Sequence, residues 1–242
     1  MRFTTVLFDV GDTLVNVPRP APTYQRLLAE HGCVLAMPEV ERIVQESRRV
    51  VDELVPTWLG DDLSLDAAAT ARRRELHVET ILSLAGVADA SAARSAFFDL
   101  YVGTRFFTLF PDVPDALRAL QERGYRMGIV SNWESRLMSL CAAHGIADAF
   151  DFAVVSELEG YVKPHARLYR RALELAGVPP ERVVHVGDKV REDVGGAASV
   201  GIAAVLLDRQ GQSTGDYQPR ISSLAELPSL LDSFAAASSS DG

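Results

Sequence analysis

Val6-Leu-Phe-Asp-Val-Gly-Asp-Thr-Leu-Val15, written VLFDVGDTLV, decides the architecture of this chain. It is an apolar run that stops at Asp9 and passes into Gly11, Asp12 and Thr13, the composition of a strand buried on both faces that ends in a polar turn. The full run, residues 4–9 (TTVLFD), has counterparts at 125–132 (YRMGIVSN), 151–156 (DFAVVS), 183–188 (VVHVGD) and 203–208 (AAVLLD). Helical periods fill the gaps. Val113, Ala116, Leu117 and Leu120 fall at i, i+3, i+4 and i+7 between Pro111-Asp112 and Gly124, and Leu168, Ala172, Leu175 and Ala176 form a second stripe closed by Gly177. Strand and helix in alternation imply βαβ units. The expected class is therefore α/β, a Rossmann-like three-layer core with a parallel sheet between helices.

From about residue 21 to residue 102 the strand-like runs disappear. Long stretches rich in Ala, Leu, Val, Arg and Glu are broken at His31-Gly32, Pro38, Pro56, Gly60 and Gly86. This predicts an all-helical insertion of four or five helices. The chain then divides into a core domain, residues 1–18 and 105–242, and a helical cap domain, residues 19–104. The flanks at 15–20 and 103–111 read as a pair of hinges, and residues 235–242 (AAASSSDG) as a frayed tail.

With 242 residues, 48% of them hydrophobic, the chain can bury a sizeable core. A net charge of −9 and a pI near 5.1 oppose nucleic acid or an anionic membrane surface as the main partner. No stretch approaches the roughly 18 apolar residues needed to cross a bilayer, and the run before Asp9 is too short for a signal sequence. Cys33 and Cys141 have no metal-ligand spacing and are expected to be buried structural thiols. A cytoplasmic protein is expected.

In an open parallel sheet, ligands bind beyond the carboxyl ends of the strands. The residues found there are Asp9, then Ser131-Asn132, then Lys163 before Pro164, then Gly187-Asp188 with Asp193 five positions on. That set suits phosphate. A hard cation such as Mg²⁺ takes carboxylate and carbonyl oxygens, a serine hydroxyl and a lysine hold phosphoryl oxygens, and a carboxylate can attack phosphorus in line.

In order and spacing these four motifs, together with the helical insertion after the first, resemble the haloacid dehalogenase superfamily of phosphatases over essentially the whole chain. The resemblance implies a Rossmann-like core with a helical cap inserted between the first two motifs. It implies that Asp9 is the nucleophile, passing through an aspartyl-phosphate. It further implies Mg²⁺ held by Asp9, the backbone carbonyl of Gly11 and Asp188, with Asp193 as ligand or supporting acid. Ser131 and Lys163 then serve the phosphoryl group, with Asn132 and Trp133 beside it. A small phosphorylated metabolite is the expected partner, and family members are often monomers or homodimers.

One departure matters. The usual first motif reads Asp-x-Asp-Gly-Thr, and its second Asp protonates the leaving group and later activates water. Here position 11 is Gly and the acid stands at position 12. General acid–base catalysis is typically worth about 10²–10⁴-fold, so a slow or leaving-group-selective phosphatase is expected, favouring acyl phosphates or phenol-like esters. Asp12 either substitutes for the missing acid or serves the turn through hydrogen bonds to its amides. Two other functions remain open: a 2-haloacid dehalogenase, which uses the same nucleophile on carbon without Mg²⁺, and a catalytically silent domain that binds a phosphorylated ligand or a protein. His185 reads as a satisfied core histidine, Arg72-Arg-Arg74 as a solvated helical face, and Arg19 near the hinge likewise.

Overall fold

Five parallel pairings build the sheet outward from β1 (Thr5–Phe8), which lies between β4 (Arg126–Ser131) and β6 (Val183–Gly187). In this computed structural model, which describes residues 3–17, 20–54, 67–87, 90–102 and 107–237, β5 (Phe152–Val155) extends the sheet beyond β4. On the other side β7 (Ala203–Leu207) and β8 (Arg220–Ile221) follow β6. The spatial order β5-β4-β1-β6-β7-β8 reverses direction at β1, the doubly wound arrangement in which ligand crevices open beside the central strand. The α/β class expected from the alternating runs is therefore present. Phe8, the last residue of β1, pairs with Ile129 on one side and Val186 on the other, so β4 and β6 run on slightly past it to Ser131 and Gly187.

Apolar side chains cement the layers. Leu7, Val130 and Val154 pack with Leu168, Tyr169 and Ala172 of α8 (Ala166–Ala176) and with Ala197 of the short α9 (Gly196–Ala198). Burying such a side chain is worth about 1.5–3 kcal/mol. The stripe Val113, Ala116, Leu117 and Leu120 is buried along α5 (Val113–Glu122). Short helices α6 (Leu137–Ala143) and α7 (Ser156–Glu159) follow β4 and β5, and α10 (Leu227–Ala237) packs on α5 and sets Phe234 edge-on to Phe3. Residues 235–237, expected as tail, continue this helix; the rest of that expectation lies outside the described residues.

The chain separates into two compact units, residues 1–16 with 108–242, and residues 17–107. Among the described residues the second unit contains α1 (Pro20–Glu30), α2 (Met37–Leu54), α3 (Ala67–Leu84) and α4 (Ala90–Val102). Its own core joins Tyr24, Leu27, Ile43, Ile81 and Phe97. Within it His77 links the Tyr24 hydroxyl at 3.1 Å to the buried Ser47 hydroxyl at 2.8 Å. Cys33 is only half-buried and donates its thiol to the Ala85 carbonyl, whereas Cys141 in the other unit is buried as expected. Arg19, Pro56 and Gly60 lie outside the described residues.

The flanks read as hinges contain a defined element. β2 (Val15–Asn16) and β3 (Thr108–Leu109) form an antiparallel pair where the chain leaves the sheet-bearing unit and returns to it. Among the described residues no helix is long and apolar enough to cross a membrane.

Candidate active site

Backbone pairing carries past the end of β1. The Asp9 amide donates to the Val186 carbonyl at 2.9 Å, which fixes the first residue beyond the strand, and Asp9 is only 7% exposed. The chain then folds tightly on the Val10 carbonyl, which accepts from the amides of Thr13, Leu14 and Val15 at 3.3, 2.8 and 3.0 Å. The left-handed residue of this turn is Asp12, with φ +55°; Gly11 takes no positive φ. Glycine is the residue that takes such a conformation most readily, yet here the turn places it on the neighbour of Gly11. Position 12 is where the usual pattern has Gly, and aspartate is among the few side chains that enter the left-handed region readily.

Asp9 belongs to a buried charged chain. Ser131 Oγ donates to Asp9 Oδ1 at 3.0 Å and Lys163 Nζ donates to the same oxygen at 2.6 Å. Lys163 Nζ also donates to Asp193 Oδ1 at 2.6 Å, and His185 Nε2 stands 3.0 Å from that oxygen. The Lys189 amide donates to Asp193 Oδ2 at 2.9 Å. Burial alone would weaken the charge on Lys163, but Asp9 and Asp193 outweigh it and hold the ammonium well above its ordinary range. Burial likewise opposes the charge on Asp193, yet Lys163 and His185 keep that carboxylate well below the usual range. Burial dominates at Asp9 and raises its pKa against the pull of Lys163. One ammonium thus serves two carboxylates, and Asp193 holds the negative charge more firmly.

Ionised Asp193 accepts hydrogen bonds only, so His185 presents Nε2–H to it. The expectation of a satisfied core histidine is half met, because buried Nδ1 has no hydrogen-bond partner. Gly187 makes room for this arrangement. A Cβ there would collide with the Asp193 side chain, so the close approach of Asp193 to β6 requires glycine.

Asn132 acts on the backbone of Lys163, accepting from its amide at 2.6 Å and donating to its carbonyl at 3.3 Å. The Trp133 carbonyl accepts from Ser156 Oγ at 3.1 Å, tying the loop after β4 to the start of α7. Asp9, Gly11, Asp12, Ser131, Asn132, Trp133, Lys163 and Asp188 line one cleft of about 270 Å³. The residues singled out in the sequence thereby come together, Asp193 standing behind them at 1% exposure.

Oxygen atoms of Asp9, Asp188 and Asp193 lie within 4.8 Å of one another. Asp188 Oδ2 accepts from Lys189 Nζ at 2.6 Å, while its Oδ1 is buried with no partner. Burial, reinforced by Asp9 and Asp193, pushes the Asp188 carboxyl up to about 6. An orphaned buried oxygen in an all-oxygen donor set fits a hard divalent cation. Three residues escaped the sequence reading: Lys189 and Glu192, which also line the cleft, and His185 as partner of Asp193. The interval of eight residues from His185 to Asp193 carries no local period that joins them.

Comparison with known proteins agrees with this geometry. The family description "haloacid dehalogenase-like hydrolase" matches residues 3–201. The chain is 32% identical to haloacid dehalogenase-like hydrolase domain-containing protein 3 of Danio rerio, covering 93% of this chain and 95% of that protein. It is 30% identical to a glyceraldehyde 3-phosphate phosphatase of Methanopyrus kandleri, over 89% and 87%. Among solved structures, a 2-haloacid dehalogenase of Pseudomonas syringae superimposes with a TM-score of 0.67 at 26% identity, over 96% and 99%.

Proposed function

This chain belongs to the haloacid dehalogenase-like hydrolases, and we propose that within them it is a Mg²⁺-dependent phosphatase of a small phosphorylated metabolite. The observation that carries this reading is the grip on Asp9. Ser131 and Lys163 both hold Oδ1, which orients the carboxylate so that Oδ2 is the attacking oxygen. Asp9, Asp188 and the Gly11 carbonyl, backed by Asp193, are the groups that would hold Mg²⁺. When bound, the ion neutralises charge on the phosphoryl oxygens.

In the first step Asp9 Oδ2 forms a bond to phosphorus and the ester P–O bond breaks, leaving an aspartyl-phosphate. Lys163 gives the N–H not taken by Asp9 and Asp193 to a phosphoryl oxygen as negative charge develops. The Ser131 hydroxyl turns its single donor from Asp9 Oδ1, which Lys163 still holds, to a second phosphoryl oxygen. Asp12, on the wall of the same cleft, gives its proton to the departing oxygen. In the second step Asp12 takes a proton from water, whose oxygen attacks phosphorus and releases inorganic phosphate with Asp9 restored. The one-residue displacement of the acid from its usual place favours substrates whose leaving groups need little protonation.

The relative from Methanopyrus kandleri makes glyceraldehyde 3-phosphate the first ester to try. The likeness to a 2-haloacid dehalogenase supports a second reading, attack by Asp9 on carbon. The orphaned Asp188 oxygen beside two other carboxylates favours the metal-dependent one. The deciding experiment measures phosphate released from sugar, triose, aryl and acyl phosphates with and without Mg²⁺, and halide released from 2-chloropropionate, against an Asp9→Asn control. Metal-dependent phosphate release lost in the control is the expected result. Halide release without metal would replace this reading with the dehalogenase, and release of neither would leave a binding domain.

A further inference from the structure

Arg209 stands in the loop after β7 and makes contacts that the reaction as written does not use. Its Nη2 donates to the Thr13 carbonyl at 2.8 Å, across 196 residues of sequence. Nη1 and Nη2 also donate to the two carboxylate oxygens of Asp112 at 2.9 and 3.0 Å. The guanidinium carbon lies 3.9 Å from the centre of the Phe110 ring. Bidentate pairing and stacking are what a planar guanidinium does and an ammonium does not. The side chains of Arg209 and Asp112 are each only 14% exposed.

The anchor is itself held. Asp112 accepts from Ser223 Oγ at 2.6 Å and from the Leu224 amide at 2.8 Å. Phe110 donates its amide to the Leu14 carbonyl at 3.1 Å. Thr13 and Leu14 therefore hang from a rigid point formed by the loop after β7, the segment before α5 and the chain after β8. These two residues follow directly on Gly11 and Asp12. Within the turn the Val10 carbonyl takes three amides, whereas the Thr13 carbonyl takes the guanidinium of Arg209.

We propose that Arg209 is a positioning residue for the reaction: through Thr13 it fixes the turn that presents the Gly11 carbonyl and the Asp12 carboxylate to the cleft. Arg209 borders a second cleft of about 530 Å³ that shares Asp12, Asp188 and Lys189 with the first. An arginine there invites reading as a phosphate binder, but Nη2 is given wholly to Asp112 and Thr13, Nη1 also bonds Asp112, and Nε is buried without a partner. It acts on the turn and not on substrate. This inference rests on the proposed phosphatase.

The test compares wild type, Arg209→Ala, Arg209→Lys and, as a control for loss of a surface arginine, Arg123→Ala. Mn²⁺ affinity is measured by calorimetry, kcat and KM at saturating metal, and recovery on adding guanidinium ion at non-denaturing concentration. A displaced turn can cost up to about 10²-fold in rate. Arg209→Ala is expected to lower kcat by about tenfold or more, to weaken Mn²⁺ binding, to leave KM nearly unchanged, and to regain part of its rate with guanidinium. Arg209→Lys, which keeps the charge without the fork, is expected to recover little, and Arg123→Ala to match wild type. Unchanged kcat and Mn²⁺ affinity in a less stable Arg209→Ala would show a purely structural role and overturn the inference. A raised KM with intact kcat would overturn it in favour of a substrate contact. Should the wild type neither bind Mn²⁺ nor release phosphate, the phosphatase reading fails and the inference fails with it.

Discussion

Lys163 Nζ lies 2.6 Å from Asp193 Oδ1, the same distance at which it meets Asp9 Oδ1, and all three side chains are nearly inaccessible. Removing the ammonium leaves two carboxylates facing each other without a counter-charge. Breaking a buried pair from one side costs about 3–5 kcal/mol. Lys163→Met should therefore lose about that much stability in urea unfolding and all measurable turnover. Adding Asp193→Asn removes one of the stranded charges, so the double variant should regain stability while staying inactive. If it is no more stable than Lys163→Met, the Lys163–Asp193 contact is not what holds this centre.

Asp12 combines a backbone requirement with the chemical role proposed for it, and two substitutions separate them. Asn tolerates the left-handed region that Asp12 occupies at φ +55°, whereas for Ala that region costs about 1–2 kcal/mol. Asp12→Asn should keep wild-type stability and lose about 10²-fold in turnover of alkyl phosphates, with a smaller loss on aryl phosphates. Asp12→Ala should show the same kinetics plus the loss of stability. Full activity in Asp12→Asn would remove Asp12 from proton transfer and leave it as a turn residue.

These contrasts mark what a linear reading recovers. The sheet was legible because β1, β4, β5, β6 and β7 are apolar runs buried on both faces, and the clustered polar residues were legible because a parallel sheet collects the ends of its strands. β2, β3 and β8 have two residues each, too few for any period to register. The positive φ of Asp12 was hidden because glycine, the usual holder of such a position, stands next to it. The pairing of His185 with Asp193 and of Arg209 with Thr13 and Asp112 exists only through space. Neither residue's neighbours in sequence point to its partner.

Asp188 links the site to pH. Burial raises its carboxyl to about 6, above the unfolded value near 3.9. A carboxyl shifted in this direction contributes stability that is complete below the unfolded pKa and is lost as pH rises through about 6. A divalent cation needs the ionised form and stabilises only the folded state. Mg²⁺ should therefore raise the melting temperature more at about pH 7.5 than at about pH 5, and Asp188→Asn should abolish the difference. An Mg²⁺ effect equal at the two pH values, or one that survives in Asp188→Asn, would place the cation elsewhere.

Gly11 offers the converse experiment, putting an acid where the usual pattern has one. The residue has no positive φ to protect and borders the cleft beside Asp9, so a side chain there meets no left-handed strain. If proton delivery limits the rate, Gly11→Asp should raise turnover of alkyl phosphates by about tenfold or more and change aryl phosphates little, since phenolate leaves without assistance. The gain should persist when Asp12 is also changed to Asn, because the new carboxyl would supply the proton by itself. Equal turnover of alkyl esters in Gly11→Asp and wild type would mean that a step other than leaving-group protonation sets the rate, and would detach the expected leaving-group selectivity from the missing acid.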